Sequence, residues 1–173
     1  MSDPNQHVTA TPEAFRKAFA ACTKDALLTF RNTDKQCVGL CAAISWSLTE
    51  DGVPNKVALG SLSCEGVLAF KYSGPFVTDG SVPLDWDGHA WIEFPGGIIG
   101  EPSLLRTAKA APRQSNLRQS LERQGLIDKG AFILPENDTL AAFGLKYTRM
   151  AYLAAGDFDP LIRGLVAMNP PAP

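Results

Sequence analysis

The chain lacks most of what would remove it from the ordinary globular class. In 173 residues there are only two histidines, three tryptophans and four cysteines, and 16 basic residues stand against 18 acidic ones. The net charge of -2 is spread without a basic stripe, which argues against a phosphate backbone as partner. No run approaches the roughly 18 apolar residues of a membrane span, and residues 1–11 are polar, without the apolar stretch of a cleaved signal. The expectation is a protein of the cytoplasm that engages neither nucleic acid nor membrane, although secretion without a cleaved signal would leave the same composition. Disulfide staples are not needed either, because a chain of this length hides about 70% of its unfolded surface on folding. Free thiols are expected, and no cofactor.

What is present is a balance of 45% apolar and 20% charged residues, typical of a globular domain. One domain over residues 1–173 is the reading, with a core over 12–110 and a helical region over 111–173. Residues 12–30 form a first helix, with Thr11 as N-cap, Pro12 at the first helical position and Phe15, Phe19, Cys22 and Ala26 on one face. Residues 37–50 form a second. Leu40, Ile44 and Leu48 recur every four residues, and small Cys41, Ala42, Ala43 and Ser45 let neighbours approach, so this helix should be central and buried. The period then shortens to that of strands at 56–62, 67–72, 89–94 and 98–101, divided by turn signals at Cys64-Glu65-Gly66, Asp79-Gly80, Asp87-Gly88 and Pro95-Gly96-Gly97. An antiparallel sheet follows, hence an α+β fold. Further helices are expected at 117–123, 139–153 and 160–167.

Scarcity of histidine narrows the chemistry. His7 lies near the N-terminus, where chain ends are commonly loose, so a histidine base or ligand has to be His89, at the head of an alternating strand. Among the cysteines, Cys37 opens the second helix. There the unpaired N–H groups and the positive end of the helix dipole favour a thiolate, and the same N–H groups can receive a developing oxyanion. Cys22 falls on the core stripe of the first helix, Cys41 one turn inside the second, and Cys64 in a hairpin turn where exposure is expected. A buried structural thiol is the commoner fate of a cysteine, and a hydrogen-bonded structural role the commoner fate of a lone histidine.

The run Cys37-Val38-Gly39-Leu40-Cys41-Ala42-Ala43-Ile44-Ser45-Trp46-Ser47-Leu48, then Gly52, then Gly60 after Val57-Ala58-Leu59, then Gly88-His89-Ala90-Trp91-Ile92-Glu93, resembles the transglutaminase-like cysteine peptidases. It is closest to the branch that includes the lasso-peptide leader peptidases. The resemblance spans Cys37 to Glu101, and nothing after about residue 110 has a counterpart in it. It implies a papain-like arrangement: a Cys-bearing central helix packed on an antiparallel sheet, Cys37 as nucleophile, His89 as general base and acid, and a carboxylate on the next strand orienting the imidazole.

At that third position the family usually carries aspartate, whereas this chain reads Ile98-Ile99-Gly100-Glu101. Glu101 reaches one methylene further, and Asp85 and Asp87 are weaker candidates on the loop before His89. A three-residue hairpin loop at Pro95-Gly96-Gly97 would pair Phe94 with Ile98 and set Glu101 diagonal to His89 on one sheet face; a two-residue loop would put them on opposite faces. For a side-chain oxyanion donor, Gln36 adjoins the nucleophile and Asn32 lies five residues before it. Trp86 is a candidate cleft wall.

Three functions compete. The first is a thiol hydrolase or acyltransferase acting on a peptide, protein or small amide substrate. The second is a binding module of the same fold without turnover, for which the Glu101 departure is the hint. The third is a zinc site of Cys37, Cys41, Cys64 and His89, against which the absence of paired Cys-x-x-Cys knuckles weighs.

Overall fold

The structure is a computed structural model that describes residues 11–33, 35–75 and 86–170. His7, the turn at Asp79-Gly80 and Asp85 lie outside the described residues.

Helix α1, Pro12–Thr29, begins as its sequence requires: the Thr11 hydroxyl accepts the Ala14 N–H at 3.3 Å, and Phe15, Phe19, Cys22 and Ala26 are buried. Helix α2, Cys37–Glu50, is apolar around most of its circumference because α1, α6 (Phe158–Met168) and the sheet surround it. The sheet has six strands, all pairings antiparallel: β1 (Lys56–Cys64), β2 (Val67–Phe70), β3 (His89–Phe94), β4 (Ile98–Glu101), β5 (Phe132–Pro135) and β6 (Leu145–Tyr152). The remaining helices are α3 (Leu104–Ala110), α4 (Asn116–Arg123) and α5 (Glu136–Phe143).

Strand β1 organises the site. It has nine residues and three partners, yet a strand has only two edges. Strand β6 takes one edge, while β3 pairs with residues 56–60 and β2 with residues 62–64 along the other. The chain therefore leaves the sheet after Phe70 and re-enters it at His89, opening a notch beside Ser61, whose hydroxyl accepts the Tyr72 N–H at 2.8 Å. Alternation along the strands divides the core in two. Val57, Leu59, Ala90, Ile92 and Phe94 face α1 and α2; Ala58, Leu62, Trp91 and Ile99 face Leu104, Leu105, Leu117 and Leu121 of α3 and α4.

The structure corrects two expectations. Residues 139–153 are not one helix: α5 stops at Gly144, which takes the left-handed φ of 63°, and the chain continues as β6 with Leu145 and Tyr147 buried and Lys146 and Thr148 exposed. The region over 111–173 is accordingly not only helical, for it supplies two strands of the sheet, β5 and β6. Cys64 is not an exposed turn residue either. It ends β1, is 3% exposed, and has its thiol pKa raised by burial. No helix among the described residues is long and apolar enough to cross a membrane.

Candidate active site

Cys37 is the first residue of α2 and is half-buried. The N-cap, Gln36, makes no side-chain capping bond, and the first turn carries no acidic residue. The leading N–H groups of the helix, which lack intrahelical partners, are thus left for whatever binds beside the sulfur.

His89 sits at the notch between β2 and β3. It is 1% exposed, stacked on Phe70 with ring centroids 4.8 Å apart and flanked by Trp91 and Tyr147, each at 6.3 Å. Across the ladder its partner is Gly60, where a Cβ would come within 2.9 Å of the Trp91 ring and collide with the Thr148 carbonyl of β6. The missing side chain is what admits Trp91 to this face.

The β3–β4 hairpin takes the three-residue loop: Phe94 pairs with Ile98, Glu93 with Ile99 and Ile92 with Gly100. Continued by one residue, that register sets Glu101 beside Trp91 on the face of His89, and His89 Nε2 lies 2.6 Å from Glu101 Oε2. The carboxylate is fully buried and its oxygens are heavily used. Oε2 also accepts the Tyr147 hydroxyl at 3.1 Å, while Oε1 accepts the N–H groups of Ser103 and Leu104, both at 3.0 Å, and the Ser103 hydroxyl at 3.3 Å.

Electrostatics follow from this packing. Burial alone would lower the imidazole pKa, but the Glu101 charge, the interaction with the nearby Cys37 thiol, the Glu101 hydrogen bond and the charge of Cys37 outweigh it and raise His89 to about 10. Burial likewise works to raise Glu101, and the His89 charge with the hydrogen bonds from His89, Ser103 and Leu104 brings it below the ordinary carboxylate value. With Nε2 committed to Glu101, Nδ1 is the ring nitrogen left for the Cys37 thiol; it is buried and has no hydrogen-bond partner among the described residues. One ring nitrogen is thus held by the carboxylate and the other is free, in a residue that lines the same cleft as Cys37.

Cys37 and His89 open into a cleft of about 500 Å³, walled by Phe70, Lys71, Trp86 and Asp87. Trp86 lies over Gly88, where a Cβ would run into its ring, and meets Tyr72 edge to face at 5.9 Å. Asp87 lines the cleft while Glu101 holds the imidazole. Neither amide proposed as oxyanion donor lines the cleft. Gln36 is 3% exposed, its Oε1 sits 3.4 Å from where a Gly39 side chain would begin, and the same point is 3.7 Å from the Leu161 carbonyl of α6, so the amide lies on the α6 side of the helix. Asn32 is clasped through its backbone by Asn169, at 2.6 and 2.9 Å.

Among the described residues no three of His, Cys, Asp and Glu are grouped to hold a metal ion. Cys41 is fully buried, with its thiol pKa raised well above the ordinary value by burial, then by the charges of Glu101 and Cys37. Sequence reasoning missed Tyr147 and Ser103, the groups that hold the Glu101 carboxylate alongside His89. The alternation Leu145-Lys146-Tyr147-Thr148 after Gly144 was the signal for a strand that carries the tyrosine. Compared against protein-family models, curated proteins and solved structures, the chain matches none of them.

Proposed function

We propose that the chain is a cysteine-dependent acyl-transfer enzyme of papain-like, transglutaminase-like architecture, acting as a thiol hydrolase on a peptide or amide bond. One observation carries the reading: an imidazole held at 2.6 Å by a fully buried carboxylate is presented to a half-buried thiol at a helix N-terminus, inside a cleft. A solvent-exposed imidazole needs no such support to be structural, and a buried carboxylate is expensive unless every oxygen is engaged.

In this mechanism the proton leaving Cys37 sulfur is held on His89, whose charge Glu101 stabilises. Sulfur attacks the carbonyl carbon, and the C=O electron pair moves to oxygen, facing the free N–H groups at the start of α2. As the tetrahedral intermediate collapses, His89 gives its proton to the departing amine, the C–N bond breaks and a Cys37 thioester remains. Water then loses a proton to His89 as it attacks the thioester. The carboxylic acid is released and the Cys37–His89 pair restored.

A binding module of the same fold is the second reading, and the absence of the Gln36 and Asn32 amides from the cleft wall is what favours it. Alkylation separates the two. In the enzyme, iodoacetamide at pH 6 labels Cys37 ahead of Cys22, Cys41 and Cys64, all buried, and His89→Ala slows that labelling at least tenfold. Cys37 as unreactive as the three buried thiols, or indifferent to His89, removes the enzyme reading. Cys37→Ala should leave the fold intact and abolish hydrolysis of any substrate found.

A further inference from the structure

The cleft does not end at the Cys37–His89 pair. A second hollow of about 370 Å³, lined by Ser103, Arg106 and Ala111 among others, shares Lys35 and Thr107 with it, so the two form one groove past the sulfur. The charge of that groove runs against that of the chain. Overall, acidic residues outnumber basic ones, 18 to 16, yet among the described residues the groove is lined by Lys35, Lys71 and Arg106 against one lining carboxylate, Asp87, at the Trp86 end. Glu101 lies beneath the floor, already engaged by His89 and Tyr147.

Arg16, Lys109, Arg118, Arg123 and Arg149 each face a carboxylate within 4 Å; Lys35, Lys71 and Arg106 belong with the other Lys and Arg side chains that form no ion pair among the described residues, and what sets them apart is that they line the two hollows. Lys35 has a further peculiarity. Its φ is 57°, the left-handed region that non-glycine residues seldom occupy, and it stands two residues before Cys37. Such a conformation persists where surroundings require it and is concentrated at functional sites. Here it accompanies an ammonium group that borders both hollows.

Resting on the acyl-transfer reading, we propose that the acyl donor is a peptide segment with an acidic side chain next to the bond that Cys37 attacks. Lys35 and Arg106 receive the carboxylate in the second hollow, and Lys71 adds its charge at the cleft. Guanidinium and ammonium groups without internal partners are the donors an incoming carboxylate would use, and in a groove with low-dielectric walls their fields add.

The test needs no known substrate. Iodoacetate and iodoacetamide attach to a thiolate by the same displacement, sulfur bonding to the methylene carbon as iodide leaves with the C–I electron pair, but only iodoacetate carries a carboxylate. The ratio of their rate constants at Cys37, followed by peptide mass mapping, cancels any change in the thiol's own nucleophilicity. The ratio is expected to exceed that of free cysteine, to fall about tenfold in the Lys35→Gln/Lys71→Gln/Arg106→Gln protein, and to fall again as salt screens the groove. Should the triple variant fold poorly by circular dichroism, Lys71→Gln alone, at an exposed position, is expected to lower the ratio about twofold. A glutamate tripeptide amide should also slow labelling of the native protein by iodoacetamide more than its glutamine isostere does. A ratio that matches free cysteine, or ignores the substitutions, or equal slowing by the two peptides, overturns the acidic-donor proposal while labelled Cys37 keeps the acyl-transfer reading. Failure of both reagents to label Cys37 overturns both.

Discussion

Two glutamates of the β3–β4 hairpin are built from the same parts and placed in opposite surroundings. Glu93 accepts the Tyr152 hydroxyl of β6 at 2.9 Å, the Arg149 guanidinium at 2.7 Å and the Trp91 indole N–H at 3.1 Å, with its side chain 21% exposed. Glu101 accepts the Tyr147 hydroxyl of β6 and the His89 ring, with its side chain fully buried. Each is thus a carboxylate taking a tyrosine from β6 and a basic side chain. The difference is water. At Glu93 solvent competes with every partner, so the cluster pins two strands and contributes little. At Glu101 nothing replaces a lost partner, so the same chemistry supports a histidine that is charged at neutral pH.

The comparison breaks most easily at the carboxylates themselves. Glu101→Ala leaves a buried imidazolium without its counter-charge and should cost about 3–5 kcal/mol in urea unfolding, whereas Glu93→Ala should leave the midpoint within error. Equal losses would mean that burial does not separate the two clusters. For the same reason His89→Ala is not a silent active-site change: it strands the Glu101 carboxylate and should destabilise the fold while Cys37→Ala does not.

The pH dependence sharpens the contrast. The folded His89 pKa is raised from 6.5 to about 10, so its contribution is complete below pH 6.5 and is lost as pH rises from there through 10. The folded Glu101 pKa is lowered from 4.5, so its contribution is complete above that value and is lost as pH falls through the folded one. Stability from this pair should therefore be greatest between about pH 4.5 and 6.5, and urea midpoints measured from pH 4 to 10 should decline at the alkaline end. In Glu101→Gln that alkaline decline should flatten. A decline that persists undiminished would assign it to other groups.

The smallest effect falls on the tyrosines. Tyr147→Phe removes one hydrogen bond to a buried charge and should cost about 2 kcal/mol, while Tyr152→Phe, at an exposed position, should be neutral. If the two cost the same, the β6 tyrosines act by packing, and their hydroxyls are incidental.

Much of this was legible before any coordinates. The starts of α1 and α2 and strands β3 and β4 rest on residues within a few positions of each other: a capping Thr11 and Pro12, a His-Ala-Trp alternation, the Pro95-Gly96-Gly97 turn; that turn leaves two hairpin registers open, and the structure takes the three-residue loop that brings His89 and Glu101 to one face. Residues 139–153 were misread because Gly144 was taken into a helix it in fact terminates. Exposure of Cys64 was inferred from its neighbour, the turn, and not from β6 and α4, which cover the strand end. Trp86, expected as a cleft wall, and Asp87, a weaker candidate for the third triad position, both line the cleft, and nothing local distinguishes a wall from a triad member.

What the sequence by itself determined is the local inventory: a thiol at a helix start, one histidine at a strand start, an acid one hairpin later. Such features follow from short-range sterics and hydrogen bonding, which a few adjacent residues specify. Only the tertiary structure decided that β2 and β3 share an edge of β1, that Tyr147 reaches Glu101 from 46 residues away, that Gln36 turns to α6, and that Lys35 and Lys71 line the cleft of the thiol while Arg106 lines the hollow beside it. Those contacts join segments distant in the chain, and packing of the two cores selects among registers and faces that local chemistry leaves equal in energy.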